Sequence, residues 1–132
     1  MMRLAGLVLV ASGAAVGSAA ADEIRHTAFM GTLIGTWAQS ADQCDKGNKI
    51  TVSPSSYSGP DGNCAVEVIV ETPGSKGPNY SVRGRCTPPD HAQNQQTPHV
   101  VNVIMRPDSA DQISIGSSFE DLKPYQRCPA KP

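Results

Sequence analysis

Four cysteines, Cys44, Cys64, Cys86 and Cys128, constrain this 132-residue chain more than any other feature of its sequence. They lie 20, 22 and 42 positions apart, and none forms the C-x-x-C pair that zinc knuckles and thioredoxin-like redox motifs require. An even set without such a pair reads as two disulfides, provided the chain matures in an oxidising compartment. The amino terminus predicts that it does. Arg3 precedes an apolar stretch of 13 residues, 4–16, followed by Ser18, Ala19, Ala20 and Ala21. This is the layout of a secretory signal peptide over residues 1–21, with cleavage between Ala21 and Asp22. The stretch falls short of the ~20 residues that span a bilayer, so no membrane span is expected once the signal is removed.

Removing residues 1–21 leaves 111 residues with 10 Lys/Arg against 12 Asp/Glu, a formal charge of −2. No basic excess remains to hold a nucleic acid. Leu, Ile, Val and Phe number only 19 of these 111. A core so poor in apolar residues leans on its cross-links.

The apolar residues that remain are of one kind. Val and Ile number 15 against two leucines, Leu33 and Leu122. Branching at Cβ restricts side-chain rotamers in helices and suits pleated sheets, so an all-β domain is expected. Period-two alternation agrees: Cys64, Val66, Val68 and Val70 share one face, with Glu67 and Glu71 on the other, and Tyr80, Val82, Gly84 and Cys86 alternate with Ser81, Arg83 and Arg85. Strands are expected at 33–39, 49–53, 56–58, 64–71, 80–86, 99–105, 112–116 and 125–128. Turns are expected at 59–63, 72–78 and 106–111, with a long polar loop over 87–98. Seven or eight short strands imply a small antiparallel meander barrel or sandwich, stapled by disulfides. Residues 22–32 are expected to be an N-terminal extension with at most one helical turn, ahead of a single β-domain at 33–132.

Disulfide pairing has two readings. The sequential scheme joins Cys44 to Cys64 and Cys86 to Cys128, and it is the favoured expectation. A hairpin turning at 72–78 would instead set Cys64 opposite Cys86, in register with Val66 opposite Gly84, Val68 opposite Val82 and Val70 opposite Tyr80. Cys44 would then join Cys128.

Gly35, Thr36 and Trp37 form a G-x-W in the first expected main strand. That motif resembles the calycin signature of lipocalins and avidin-like proteins, where the tryptophan plugs the closed end of a barrel and a late basic residue packs across its ring. The matching residue here is Arg127, in a Y-x-R-C ending at Tyr125–Cys128. G-x-W, spaced cysteines and this ending are similar to small exported Gram-negative β-barrel proteins of unknown function. Periplasmic inhibitors of secreted metalloproteases are a weaker likeness: their N-terminal segment enters the protease cleft, which implies such a role for residues 22–32. They typically carry one disulfide, whereas this chain has cysteines for two.

Catalytic constellations are not found in the sequence. It has no G-x-S-x-G elbow, no phosphate-binding loop and no H-E-x-x-H helix, and cysteines held in disulfides supply no thiol nucleophile. His26, His91 and His99 are far apart in sequence, so no metal or other cofactor site is expected. The acidic pairs Asp22/Glu23, Asp108/Asp111 and Glu120/Asp121 read as solvated turns. Arg83 and Arg85, with Lys76 nearby, form either a solvated face or a strip for an acidic partner. The expectation is therefore a non-enzymatic binding module, periplasmic or secreted, whose partner is an unknown protein or small ligand. The alternatives are a protease inhibitor acting through residues 22–32, a carrier of a small apolar ligand, and a hydrolase gathering His99, Asp90 and a serine.

Overall fold

The computed structural model describes residues 23–88 and 97–130, together with residue 13. The signal peptide, its cleavage point, His91, Asp90 and most of the 87–98 loop lie outside the described residues. The strands are β1 (Ile24–His26), β2 (Gly35–Ala38), β3 (Ile50–Val52), β4 (Ser56–Gly59), β5 (Gly62–Thr72), β6 (Asn79–Thr87), β7 (His99–Ser109), β8 (Gln112–Gly116) and β9 (Lys123–Arg127). Short 3₁₀ turns at Ala41–Asp45 and Phe119–Asp121 are the helical elements among the described residues.

From β2 to β9 each strand pairs antiparallel with the next, and β9 returns to β2, with Trp37 opposite Arg127. The result is a closed eight-stranded meander barrel, which resolves the choice between barrel and sandwich. Closure leaves no exposed sheet edge along the paired lengths. Trp37, Leu33, Ile69, Met105, Ile113, Val52 and Val82 are essentially fully buried and fill the interior.

Three expectations change. Residues 24–26 are a strand, not a helical turn. β4 pairs with only the first part of β5, and β1 takes up the same edge farther along, with Ile24 opposite Glu71 and His26 opposite Ile69. Phe29 and Leu33 follow it into the core, and the Phe29 amide donates to the Pro54 carbonyl at 2.8 Å. The second change lies in the β5–β6 hairpin. Val66 faces Gly84 as expected, but a bulge at Glu67 shifts the register, so that Val68 faces Arg83 and Ile69 faces Val82. An extra residue in one strand turns the following side chains over. Ile69 therefore enters the core, and Val68 and Val70 do not reach full burial. The bulged Glu67 pairs with both Arg83 (3.2 Å) and Arg85 (3.0 Å), which neutralises much of that basic strip.

Third, β7 continues to Ser109 through the stretch expected to turn. Pro107 is tolerated because the ladder is already irregular between Pro107 and Ser109. Asp108 accepts from Arg106 (3.0 Å) and from the buried Ser114 hydroxyl (2.6 Å), so folding the segment back satisfies its polar groups.

The favoured sequential disulfides are also corrected. The bonds are Cys44–Cys128 and Cys64–Cys86. Cys64 and Cys86 are direct partners across β5 and β6, before the bulge, and both belong to the interior. Cys44 packs instead with Ala38 and Cys128 in a separate small cluster, where the Cys128 amide donates to the Thr36 carbonyl at 2.8 Å. Cys44 and Cys64 are thus held in different layers, and barrel closure brings Cys128 to Cys44.

Candidate functional site

The two ends of the barrel differ. At one end the chain segment entering β2 lies over the β3–β4 turn, and Trp37 sits beneath it, its indole donating to the Leu33 carbonyl at 2.9 Å. The Arg127 guanidinium carbon stands 4.3 Å from the Trp37 ring centre, the contact that the G-x-W resemblance implies. Its nitrogens donate to the carbonyls of Ile34 (2.7 Å), Ala110 (3.1 Å) and Thr32 (3.1 Å). Gly35 makes room for it. The residue has φ +144°, and a Cβ there would stand 2.5 Å from Arg127 Nη1. The expected structural trio Gly35, Trp37 and Arg127 is therefore one contiguous lock that seals this end.

At the opposite end the interior is not filled to the rim. A cavity of about 220 Å³ opens there. Its apolar surface comes from Ile50, Val101, Val103, Met105, Ile115 and Tyr125, and Tyr57 also reaches it from β4. Asp61, Asp121 and Lys123 stand among its lining residues. An apolar cavity of ~150 Å³ already accommodates benzene, so this mouth has room for one ring or one large side chain. It is smaller than the ~300 Å³ at which pockets for drug-sized ligands begin.

Burial alters the titration of the mouth tyrosines. Burial first, and the Asp61 charge second, push the Tyr57 hydroxyl up from 10.0 to about 12. Gly84 permits this burial, because a Cβ there would meet the Tyr57 hydroxyl at 2.9 Å. Burial also raises Tyr125, while burial together with Glu71 raises Tyr80. All three tyrosines of the chain therefore resist ionisation. An unfolded tyrosine loses its proton near 10, so above that pH the folded state binds more protons than the unfolded state, and stability falls as pH rises toward 12. We expect tyrosinate absorbance to appear together with loss of near-ultraviolet circular dichroism in an alkaline titration. A tyrosine ionising near pH 10 in a still-native barrel would contradict this burial.

The candidate catalytic and metal-ligating side chains that lie within the described residues are dispersed. His26 Nε2 lies 3.4 Å from Glu71 in the β1–β5 pair, whereas His99 opens β7 directly opposite Cys86. Among the described residues no three His, Cys, Asp or Glu side chains gather as metal ligands would. The mouth residues escape sequence reasoning because they come from β3, β4, the turn after it, β7, β8, β9 and the β8–β9 connection. Only the turn at 59–63 carried a signal, and that signal spoke of chain reversal.

Those features define a closed eight-stranded meander barrel with one locked and one open end, cross-linked by two disulfides. No protein-family profile matches the chain, and no curated protein or solved structure matches it significantly. No helix among the described residues is long and apolar enough to cross a membrane. Two structural disulfides suit maturation in an oxidising, exported environment.

Proposed function

We propose that the chain is an exported, calycin-like binding module, periplasmic or secreted and without catalytic activity, that captures its partner at the open mouth of the barrel. The observation carrying this reading is the asymmetry of the two ends. The Trp37–Arg127 contact fills the interior at one end, while the other keeps an apolar floor of Met105, Ile115 and Tyr125 beneath a polar rim. Concave apolar sites with a few converging polar groups are where small molecules and anchor side chains bind. The signal-peptide pattern at 1–21 and the disulfides support export.

Two alternatives lose support. An inhibitor arm at 22–32 would have to leave the body of the protein, yet β1 is paired to β5 and Phe29 is 6% exposed. A carrier of a small apolar ligand calls for a cavity of ~300 Å³ or more, against about 220 Å³ at the mouth.

Titrating isotopically labelled protein with p-cresol, a single-ring probe, tests the proposal by nuclear magnetic resonance. Saturable shifts are expected at the amides of Val101, Val103, Ile115 and Gly116. Shifts confined to the Trp37 end, or to the hollow outside the wall beside Cys44 and Pro129, would overturn it, as would none at all.

A further inference from the structure

The wall of the barrel is incomplete on one side of the mouth. β7 pairs with β6 from His99 through Met105, but its pairing with β8 begins only at Ile104, opposite Gly116. His99, Val100, Val101, Asn102 and Val103 therefore have no strand partner on the β8 side among the described residues. Val101, Asn102 and Val103 also line the mouth, so the notch and the cavity are continuous. An open strand edge presents backbone donors and acceptors in the pattern that an added strand satisfies.

Exposed apolar groups cluster here. Of the three large hydrophobic residues exposed among the described ones, Val100 (39%) lies on the open edge and Phe119 (58%) in the loop between Ser117 and Asp121 that borders the mouth. The rim charges are unequal. Asp61 and Asp121 line the mouth and the exposed Glu120 adjoins Asp121, against Lys123 as the one lining ammonium. The two lining carboxylates outnumber the single ammonium, and this balance favours a cationic visitor.

We infer that the mouth binds an extended, cationic peptide segment of a partner protein, which adds as a strand to the β7 edge at 99–103 and lowers one large apolar side chain into the cavity. This rests on the mouth being the binding site and specifies what it binds. Backbone pairing to the edge supplies affinity without sequence preference, and the cavity selects the anchor side chain. A volume of about 220 Å³ fits a leucine or phenylalanine anchor, and lysine or arginine residues flanking it are attracted to the rim that carries Asp61 and Asp121.

The test uses the mature full chain, its disulfides intact, and the acetylated, amidated hexapeptide KVKFKV. Resonance shifts are expected at Val100, Val101, Asn102 and Val103 together with Ile115. Four changes should each weaken binding at least tenfold: replacing the central phenylalanine of the probe by alanine, N-methylating alternate backbone amides, exchanging its lysines for glutamates, and combining Asp61→Asn with Asp121→Asn in the protein. Raising the salt concentration should weaken binding of KVKFKV, and the Asp61→Asn, Asp121→Asn protein should lose most of that dependence. Undiminished binding of the N-methylated peptide overturns strand addition, and equal binding of the glutamate peptide overturns the charge preference. If p-cresol enters the mouth but KVKFKV does not bind, the peptide inference fails while the mouth remains the binding site. If KVKFKV shifts only residues remote from β7 and the mouth, and p-cresol does not enter the mouth, both fall.

Discussion

Replacing Cys44 and Cys128 together by serine is expected to lower stability by about 4.5 kcal/mol, since this bond closes a separation of 84 residues. The same change at Cys64 and Cys86, which close 22, is expected to cost about 3.4 kcal/mol on the same chain-entropy account. The order of the two values is the discriminating result, because it follows from loop length and from where each bond sits. Cys64 and Cys86 face each other inside a hairpin that β5 and β6 hold by nine paired positions, so their bond duplicates what the ladder already enforces. Cys44–Cys128 joins the turn after β2 to the end of β9, the seam where the meander closes on itself. That seam has just two paired positions, Trp37 with Arg127 and Ala38 with Gln126. Against the roughly 5–15 kcal/mol of an ordinary domain, losing the seam bond leaves little reserve. Denaturant unfolding of the two double variants, read with the slopes to confirm two-state behaviour, gives both numbers. A Cys44→Ser, Cys128→Ser variant no less stable than the Cys64→Ser, Cys86→Ser variant would show that the seam does not depend on its cross-link.

What could be read from the residues follows the same division between local and distant. Alternation located β5 and β6; β8, expected without that argument, has the expected limits 112–116. Alternation also fixed the Cys64–Cys86 register as an alternative pairing, correct as far as Val66. It failed at Glu67 because a bulge leaves no compositional mark; the clue available afterwards is that Glu67 sits between two arginines of the neighbouring strand. β1 was missed for a related reason. Three residues are too few to show a period, and the strand exists only because β4 stops short and leaves an edge of β5 to be covered. The mouth was invisible altogether, since its lining is a product of closure and its members are up to 75 positions apart, from Ile50 to Tyr125. The lock at the other end was legible through Gly35 and Trp37, because a glycine that must admit a guanidinium and a ring that must lie under it tolerate few substitutes.

Arg127→Ala is expected to cost about 3–4 kcal/mol, and Trp37→Ala about 4 kcal/mol or more from lost burial and the cavity left behind. The arginine figure has two parts. Lifting the guanidinium off the indole removes ~1–2 kcal/mol of cation–π attraction in this partly buried setting. It also strips the Ile34, Ala110 and Thr32 carbonyls of a charged donor, of which the Ile34 bond is the shortest and best sheltered. Asp111 adds little, because it lies 3.8 Å away with its side chain 84% exposed, so the loss should hardly vary with salt. Arg127→Lys should recover less than half of the stability. An ammonium keeps the charge but cannot serve three carbonyls from one plane while lying flat on a ring. Because the two side chains touch, their effects should not add. The double variant Trp37→Ala, Arg127→Ala should be more stable than the sum of the single losses predicts, by about 1–2 kcal/mol. Gly35→Ala should reproduce part of the arginine effect with Arg127 still present, since its methyl would displace Nη1 and strain the backbone at φ +144°. An Arg127→Ala loss below about 1 kcal/mol, with additive behaviour in the double variant, would mean that this end is held by the burial of Trp37 and Leu33 alone.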